Sequence, residues 1–100
     1  MRDDPAIALS VVRALRGMVT ANLRQVAFRR GGATVYLRFV YDGPVSEENR
    51  EDAGIAASEV LSDLGPDGNV LEDCLRADMP ATPPSSEGWW VVFERKEERR

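Results

Sequence analysis

Two adjacent glycines, Gly31 and Gly32, separate two runs in which apolar and polar residues alternate. Glycine adopts the positive φ angles of two-residue turns, so this pattern predicts a β-hairpin. We expect Arg30 to pair with Ala33, a register that sorts the side chains onto two faces. The apolar face carries Val26, Phe28, Val35, Leu37 and Phe39. The mostly polar face carries Gln25, Arg29, Thr34, Tyr36 and Arg38. The hairpin sheet is therefore predicted to be covered on one side only.

Two amphipathic segments predict helices. The first opens at Asp4 and Pro5, a favourable N-cap and first helical position, and continues to about Val19. Its predicted buried face consists of the apolar residues Ala8, Val11, Val12, Leu15, Met18 and Val19. The second has Ser46 as N-cap and ends before Gly65. Its predicted buried face consists of the apolar residues Ala53, Ala56, Ala57, Val60, Leu61 and Leu64.

Two further strands complete the predicted fold. Residues 70–77 form the third strand, whose mixed alternation suggests a bulge, and residues 89–95 form the fourth. The proline- and serine-rich stretch 79–88 between them is predicted to be a loop with few apolar side chains to bury. The sequence thus predicts one α+β domain over residues 1–97, with a frayed tail at 98–100. The order is helix-strand-strand-helix-strand-strand, giving a four-stranded antiparallel sheet with two helices packed on one face.

Composition argues against an enzyme. The 100-residue chain has no histidine, which removes the commonest general base and transition-metal ligand. Its single cysteine, Cys74, has no histidine to activate it and is expected to be a buried thiol in a reducing compartment, the cytoplasm. No apolar run approaches the ~20 residues of a membrane helix. We expect no catalytic residues, metal site or cofactor.

Charge is distributed unevenly along the chain. Residues 42–78 carry eleven acidic side chains and two arginines, whereas residues 1–41 carry seven arginines and two aspartates. A concentrated acidic surface on a small domain is a physical reason to expect a basic partner. The candidate partner-binding acids are Asp42, Glu47, Glu48, Glu51, Asp52, Glu59 and Asp63. The competing interpretation is a solvated helix whose first-turn acids complement the helix dipole. A divalent-metal site is weaker still, because no calcium-loop spacing is present.

The polar hairpin face offers other possibilities. Arg24, Arg29, Arg30 and Arg38 lie on the hairpin, with Tyr36 beside Arg38, and sheets that carry arginine and aromatic residues can bind single-stranded nucleic acid. The isoelectric point of 4.8 makes nucleic acid an unlikely partner, and these arginines are expected to pair with nearby acids. Strand alternation places Trp89 and Trp90 on opposite faces and Trp90 beside Tyr36, Leu23 and Val40. That patch would serve self-association, contact a partner, or lie under a second covering element.

The stretch 35–48, with Asp42, Gly43 and Ser46 leading into paired glutamates, resembles a group of small bacterial immunity proteins of toxin systems. The closing stretch 90–97, aromatic, then aliphatic, then Arg-Lys-Glu, is similar to their endings, so the likeness covers residues 10–97. Pro44 and the long loop before Trp89 depart from that pattern. The resemblance implies a protein that binds and neutralises a toxin domain, often a basic nuclease.

The leading prediction is therefore a non-enzymatic immunity protein that neutralises a basic toxin domain through its acidic surface. The alternative is a homodimeric accessory or chaperone-like protein, joined through the Tyr36 and Trp90 face or an unpaired edge strand. A small hydrolase or metal-dependent enzyme built on the acidic helix ranks last.

Overall fold

A computed structural model describes residues 3–97 and has the predicted order of elements. These are helix α1 (Asp4–Ala14), strands β1 (Leu23–Gly31) and β2 (Thr34–Tyr41), helix α2 (Glu47–Leu64), and strands β3 (Asn69–Arg76) and β4 (Trp90–Glu94). The α+β class is confirmed. The tail predicted to be frayed, residues 98–100, lies outside the described residues. No helix within 3–97 combines the length and apolar character needed to cross a bilayer.

The hairpin turn lies one residue later than predicted. Gly31 pairs with Thr34, so the two turn residues are Gly32 and Ala33, and Gly32 has a φ of 61°. Arg30 consequently pairs with Val35 instead of Ala33. This change moves every partner by two residues, and because strand side chains alternate with a period of two, the division into faces is unchanged. The five apolar-face residues all lie in the buried core.

The sheet is mixed, so the prediction of an entirely antiparallel sheet was wrong. Its order is β3-β2-β1-β4. β1 pairs antiparallel with β2 and with β4, whereas β2 and β3 pair in parallel from Thr34–Asn69 to Tyr41–Arg76. The reason is α2: a helix inserted between two neighbouring strands carries the chain back to the end at which β2 began, so β3 runs in the same direction.

Both helices contribute to one core with the apolar face of the sheet. From α2 the core takes Ala53, Ala56, Ala57, Val60 and Leu64, as predicted, while Leu61 remains 40% exposed. α1 ends at Ala14, not near Val19 as predicted, because a turn follows in which Gly17 has a φ of 74°. Its N-cap is Asp3 instead of Asp4, and its buried positions are Ile7, Ser10, Val11 and Ala14. Val12 and Val19, predicted to be buried, are about half exposed.

The second sheet face is also covered, so the prediction of a sheet covered on one side only was wrong, and the alternative of a second covering element is the one observed. Residues 77–89 cross it: Arg24 donates to the carbonyl oxygens of Ala77 and Ala81, and Arg38 donates a long bond to Pro84 O. As a result Arg24, Gln25 and Arg38 are at least 93% buried. We call residues 77–89 the covering loop. A segment expected to bury little is thus the second layer over the sheet.

Candidate functional site

The start of α2 presents three exposed carboxylates. Ser46 Oγ accepts the backbone N–H of Asn49 at 3.0 Å, and Asn49 Oδ1 accepts the N–H of Ser46 at 3.1 Å. This capping box fixes the first turn of the helix. Glu47, Glu48 and Glu51 follow it, all exposed, and the first two lie where the helix dipole favours negative charge.

Strand β3 places a fourth carboxylate beside these three. Glu72 faces α2, because a Cβ atom added to Gly54 would lie 3.6 Å from its Oε2. Glu51 is one helical turn from Gly54, so Glu72 extends the charge of the helix onto the sheet. We call Glu47, Glu48, Glu51 and Glu72 the acidic surface. Within residues 3–97, none of their carboxylates forms a hydrogen bond or an ion pair.

Sequence reasoning did not select Glu72 as a site residue. Its neighbour Asp73 is also exposed, but points to the opposite face of the sheet. Both belong to the acidic stretch 42–78, and that was the only sequence signal available for them. The closeness of Glu72 to α2 follows from the parallel pairing of β3 with β2, which the hydrophobic pattern did not reveal.

Asp42 and Asp63, by contrast, form contacts within the fold. Asp42 accepts the N–H of Met79 at 3.2 Å and pairs with Arg95 at 3.2 Å, so it anchors the covering loop. Asp63 accepts the hydroxyl of buried Ser10 at 2.6 Å and ties α2 to α1. Glu59 lines the small cleft between the two helices.

Asp52 differs from its neighbours in being half-buried. It lies near Tyr41, whose pKa is raised first by burial and then by the nearby Cys74 and Asp52. Of the seven predicted acids, only Glu47, Glu48 and Glu51 therefore belong to the acidic surface.

Tyr36 and Trp90 lie on opposite faces of the sheet, so the patch predicted to contain both does not exist. The pairing of β4 with β1 is irregular between Val26 and Ala27, and this bulge reverses the alternation of β4. Trp90 therefore turns to the helix side, where it stacks on Phe28 with ring centroids 5.6 Å apart and remains 43% exposed.

Trp89 takes the place beside Tyr36 and organises an arginine–aromatic cluster. The guanidinium carbon of Arg38 lies 4.4 Å and that of Arg29 lies 5.4 Å from the Trp89 ring centre, while Arg29 is also 4.9 Å from the Tyr36 ring. The expected pairing of the hairpin arginines with acids is found for Arg24 and Arg30, which pair with Glu97 and Asp4. Within residues 3–97, Arg29 and Arg38 form no ion pair. Burial lowers the pKa of Arg38.

A second cluster that sequence reasoning missed surrounds Arg24. Its Nε and Nη2 atoms donate to the two oxygens of Glu97 at 2.7 and 2.9 Å, and its Nη1 atom donates to Ala77 O and Ala81 O. The bond from Arg24, reinforced by Arg95, lowers the pKa of Glu97 to about 2 against the opposing effect of burial. Arg24 thereby joins β1, the covering loop and the segment after β4. No sequence signal beyond a charged residue near a strand start pointed to it.

This ion pair predicts acid-dependent stability. Because the pKa of Glu97 falls from 4.5 to about 2 on folding, its contribution is present above pH 4.5 and is lost as the pH falls through 2. Between pH 5 and pH 2, the free energy of unfolding of the wild type should fall on the order of 2 kcal/mol more than that of Glu97→Gln. Urea titrations at several pH values measure this difference.

Glu87→Gln, which alters an exposed loop carboxylate, is the matched control and should follow the wild-type pH profile. If the Glu97→Gln profile runs parallel to that of the wild type, the ion pair does not contribute to stability.

Two observations concern metal binding and the cysteine within residues 3–97. No group of three potential metal-ligating side chains occurs within 3–97. Cys74 is half-buried, and burial is the largest cause of its raised pKa, which disfavours the reactive thiolate. What the acidic surface can do is attract and orient a cationic group.

Comparison with known proteins supplies the family. No curated protein matches the chain. A family model does match, and it covers residues 4–97, which include every helix and strand, the acidic surface and the covering loop. The resemblance to immunity proteins noted from residues 35–48 and 90–97 is confirmed by this match, and the chain belongs to the MafI2 immunity protein family.

Proposed function

We propose that this protein is a non-enzymatic immunity protein that binds a basic toxin domain and neutralises it through the acidic surface. The family supports an immunity role and implies a toxin as partner. The acidic surface as the binding site, and the basic character of the toxin, are our proposals.

The main support for the proposal is that the carboxylates of the acidic surface form no hydrogen bond or ion pair with the rest of the described protein. Asp42 and Asp63 stabilise the fold through hydrogen bonds or ion pairs. Glu47, Glu48, Glu51 and Glu72 form none within residues 3–97, although like charges this close repel one another. Part of the Glu47 and Glu48 charge is offset by the helix dipole, but that of Glu51 and Glu72 is not. A cationic partner would relieve the repulsion.

The mechanism follows from the charge and position of this surface. The negative field steers a basic domain toward α2 and β3 and accelerates the encounter. A toxin that acts on a polyanionic substrate must hold it with arginine and lysine side chains. Carboxylates in contact with those side chains would occupy the substrate's place, so binding and neutralisation are the same event.

Charge reversal tests the proposal. Glu48→Lys should slow association with the cognate toxin domain severalfold at low salt, and should flatten the salt dependence of the rate. Glu87→Lys changes the net charge by the same amount on the covering loop, away from α2, and should leave the rate within about twofold of wild type. Stopped-flow association at several salt concentrations measures both.

Equal slowing by Glu48→Lys and Glu87→Lys would show that only net charge matters and would refute the acidic surface as the binding site. Absence of any binding to the toxin domain would refute the proposed partner itself.

A further inference from the structure

The two edges of the sheet differ in how they are protected. β4 has five residues and a bulged pairing with β1, both of which discourage the addition of another strand. β3 has eight residues, pairs with β2 in an unbroken register, and contains no proline or lysine. No described residue pairs with its outer edge, where it ends the sheet. Such an edge is a template for one more strand.

The hydrogen-bonding groups on this open edge can be assigned. The N–H of Asn69 donates to Ala33 O and that of Ala77 donates to Tyr41 O, so odd-numbered residues of β3 bond to β2. In a parallel pair, alternate residues direct both backbone groups to the same side. The outward groups therefore belong to Val70, Glu72, Cys74 and Arg76.

A second copy of this chain is a poor occupant of the edge. Antiparallel self-pairing must place the outward residues of one copy opposite outward residues of the other, which shifts the fully overlapped pairing by one residue in either direction. One shift places Glu72 opposite Glu72 of the other copy, and the other shift places Asp73 opposite Asp73. In either register a pair of like charges lies directly opposite across the twofold axis. Self-pairing of β3 is disfavoured by this repulsion.

We infer that the outer edge of β3 receives an extended basic segment of the toxin, which adds a fifth strand to the sheet. This inference rests on the proposed function. Adjacent basic residues in such a segment point to opposite faces, so one would meet Glu72 on the α2 side and the next would meet Asp73 on the other. Leu71, which is 51% exposed, offers an apolar contact on the same face as Asp73.

Amide hydrogen exchange of the intact protein tests the inference. In the free protein, the amides of Leu71, Asp73 and Leu75 should exchange slowly and those of Glu72 and Cys74 quickly. Adding the toxin domain should slow the Glu72 and Cys74 amides about tenfold or more, because they gain acceptors from the new strand. NMR detection resolves individual amides.

A pair of variants separates the backbone contribution from that of the carboxylate. Glu72→Pro removes an outward N–H without removing a bond to β2, a position at which edge strands tolerate proline. Glu72→Thr removes the same carboxylate but keeps the N–H. We expect Glu72→Pro to bind the toxin domain about tenfold more weakly than Glu72→Thr. Circular dichroism establishes that both variants are folded.

The outcomes are distinct. Binding without added protection at Glu72 and Cys74 overturns the inference while leaving the proposed function intact. Equal affinity of the two folded variants also overturns it. Protection of these amides in the free protein that increases with concentration would identify a second copy as the occupant. A toxin domain that does not bind refutes both the proposed function and the inference.

Discussion

Replacing Arg24 with methionine is expected to lower the free energy of unfolding by about 3–5 kcal/mol, the usual cost of removing one partner from a buried ion pair. Arg24 is 2% exposed, and its guanidinium serves Glu97, Ala77 O and Ala81 O at once. Methionine keeps much of the side-chain volume but leaves these acceptors without a donor, and burying them unpaired carries a desolvation cost.

Arg30→Met is the matched control for this substitution. It makes the same change in the same strand, at a residue whose ion pair with Asp4 is 3.3 Å long and whose side chain is 35% exposed. Pairs of this kind contribute about 1 kcal/mol or less. Urea unfolding followed by tryptophan fluorescence measures both variants. Similar losses at the two positions would mean that the cluster around Arg24 has no special role in holding the covering loop.

The parts of the fold that the sequence predicted are those with a strong local period. The hairpin faces were assigned correctly despite the displaced turn, because burial of Val26 and Phe28 does not depend on the turn position. The Ser46 cap and the end of α2 before Gly65 were correct for a similar reason, since capping chemistry is local.

The parts that were missed depend on contacts between distant residues. Nothing in the sequence of β3 states which strand it joins or in which direction. The bulge opposite Val26 and Ala27 exchanged the roles of Trp89 and Trp90, because one additional residue reverses the alternation of a strand. The burial of Arg24 and Arg38 depends on a loop that is polar in composition and yet lies across the sheet.

The candidate site was likewise predicted only in part. Charge density in residues 42–78 pointed to the start of α2, and Glu47, Glu48 and Glu51 are exposed there. The same density also included Asp42 and Asp63, whose hydrogen bonds belong to the fold. The sequence shows how many carboxylates are present but not which of them form hydrogen bonds or ion pairs within the fold. Only the tertiary structure separates the carboxylates that stabilise the protein from those available to bind a toxin.

Asn49 connects the stability of the fold to the acidic surface. It is 3% exposed and completes the capping box of α2. Its Oδ1 atom also accepts the Asn22 side-chain N–H at 2.9 Å, and its carbonyl oxygen accepts the Tyr41 hydroxyl at 3.4 Å. Replacing it with alanine should cost about 2–3 kcal/mol, because the Ser46 N–H and the side-chain amide of Asn22 both lose their acceptor.

The same substitution should weaken toxin binding without altering any charge. Without the Asn49 side chain, α2 loses the reciprocal half of its capping box and the link to Asn22, so its first turn is held less firmly and Glu47 and Glu48 no longer hold fixed positions. Ser46→Ala removes only the hydroxyl of the capping box and should cost about 1 kcal/mol. Asn49→Ala should therefore be less stable than Ser46→Ala and should also associate with the toxin more slowly. Chemical unfolding and toxin-association rates, measured on both variants, test this order. If Asn49→Ala lowers stability but associates at the wild-type rate, the orientation of the α2 carboxylates does not limit recognition.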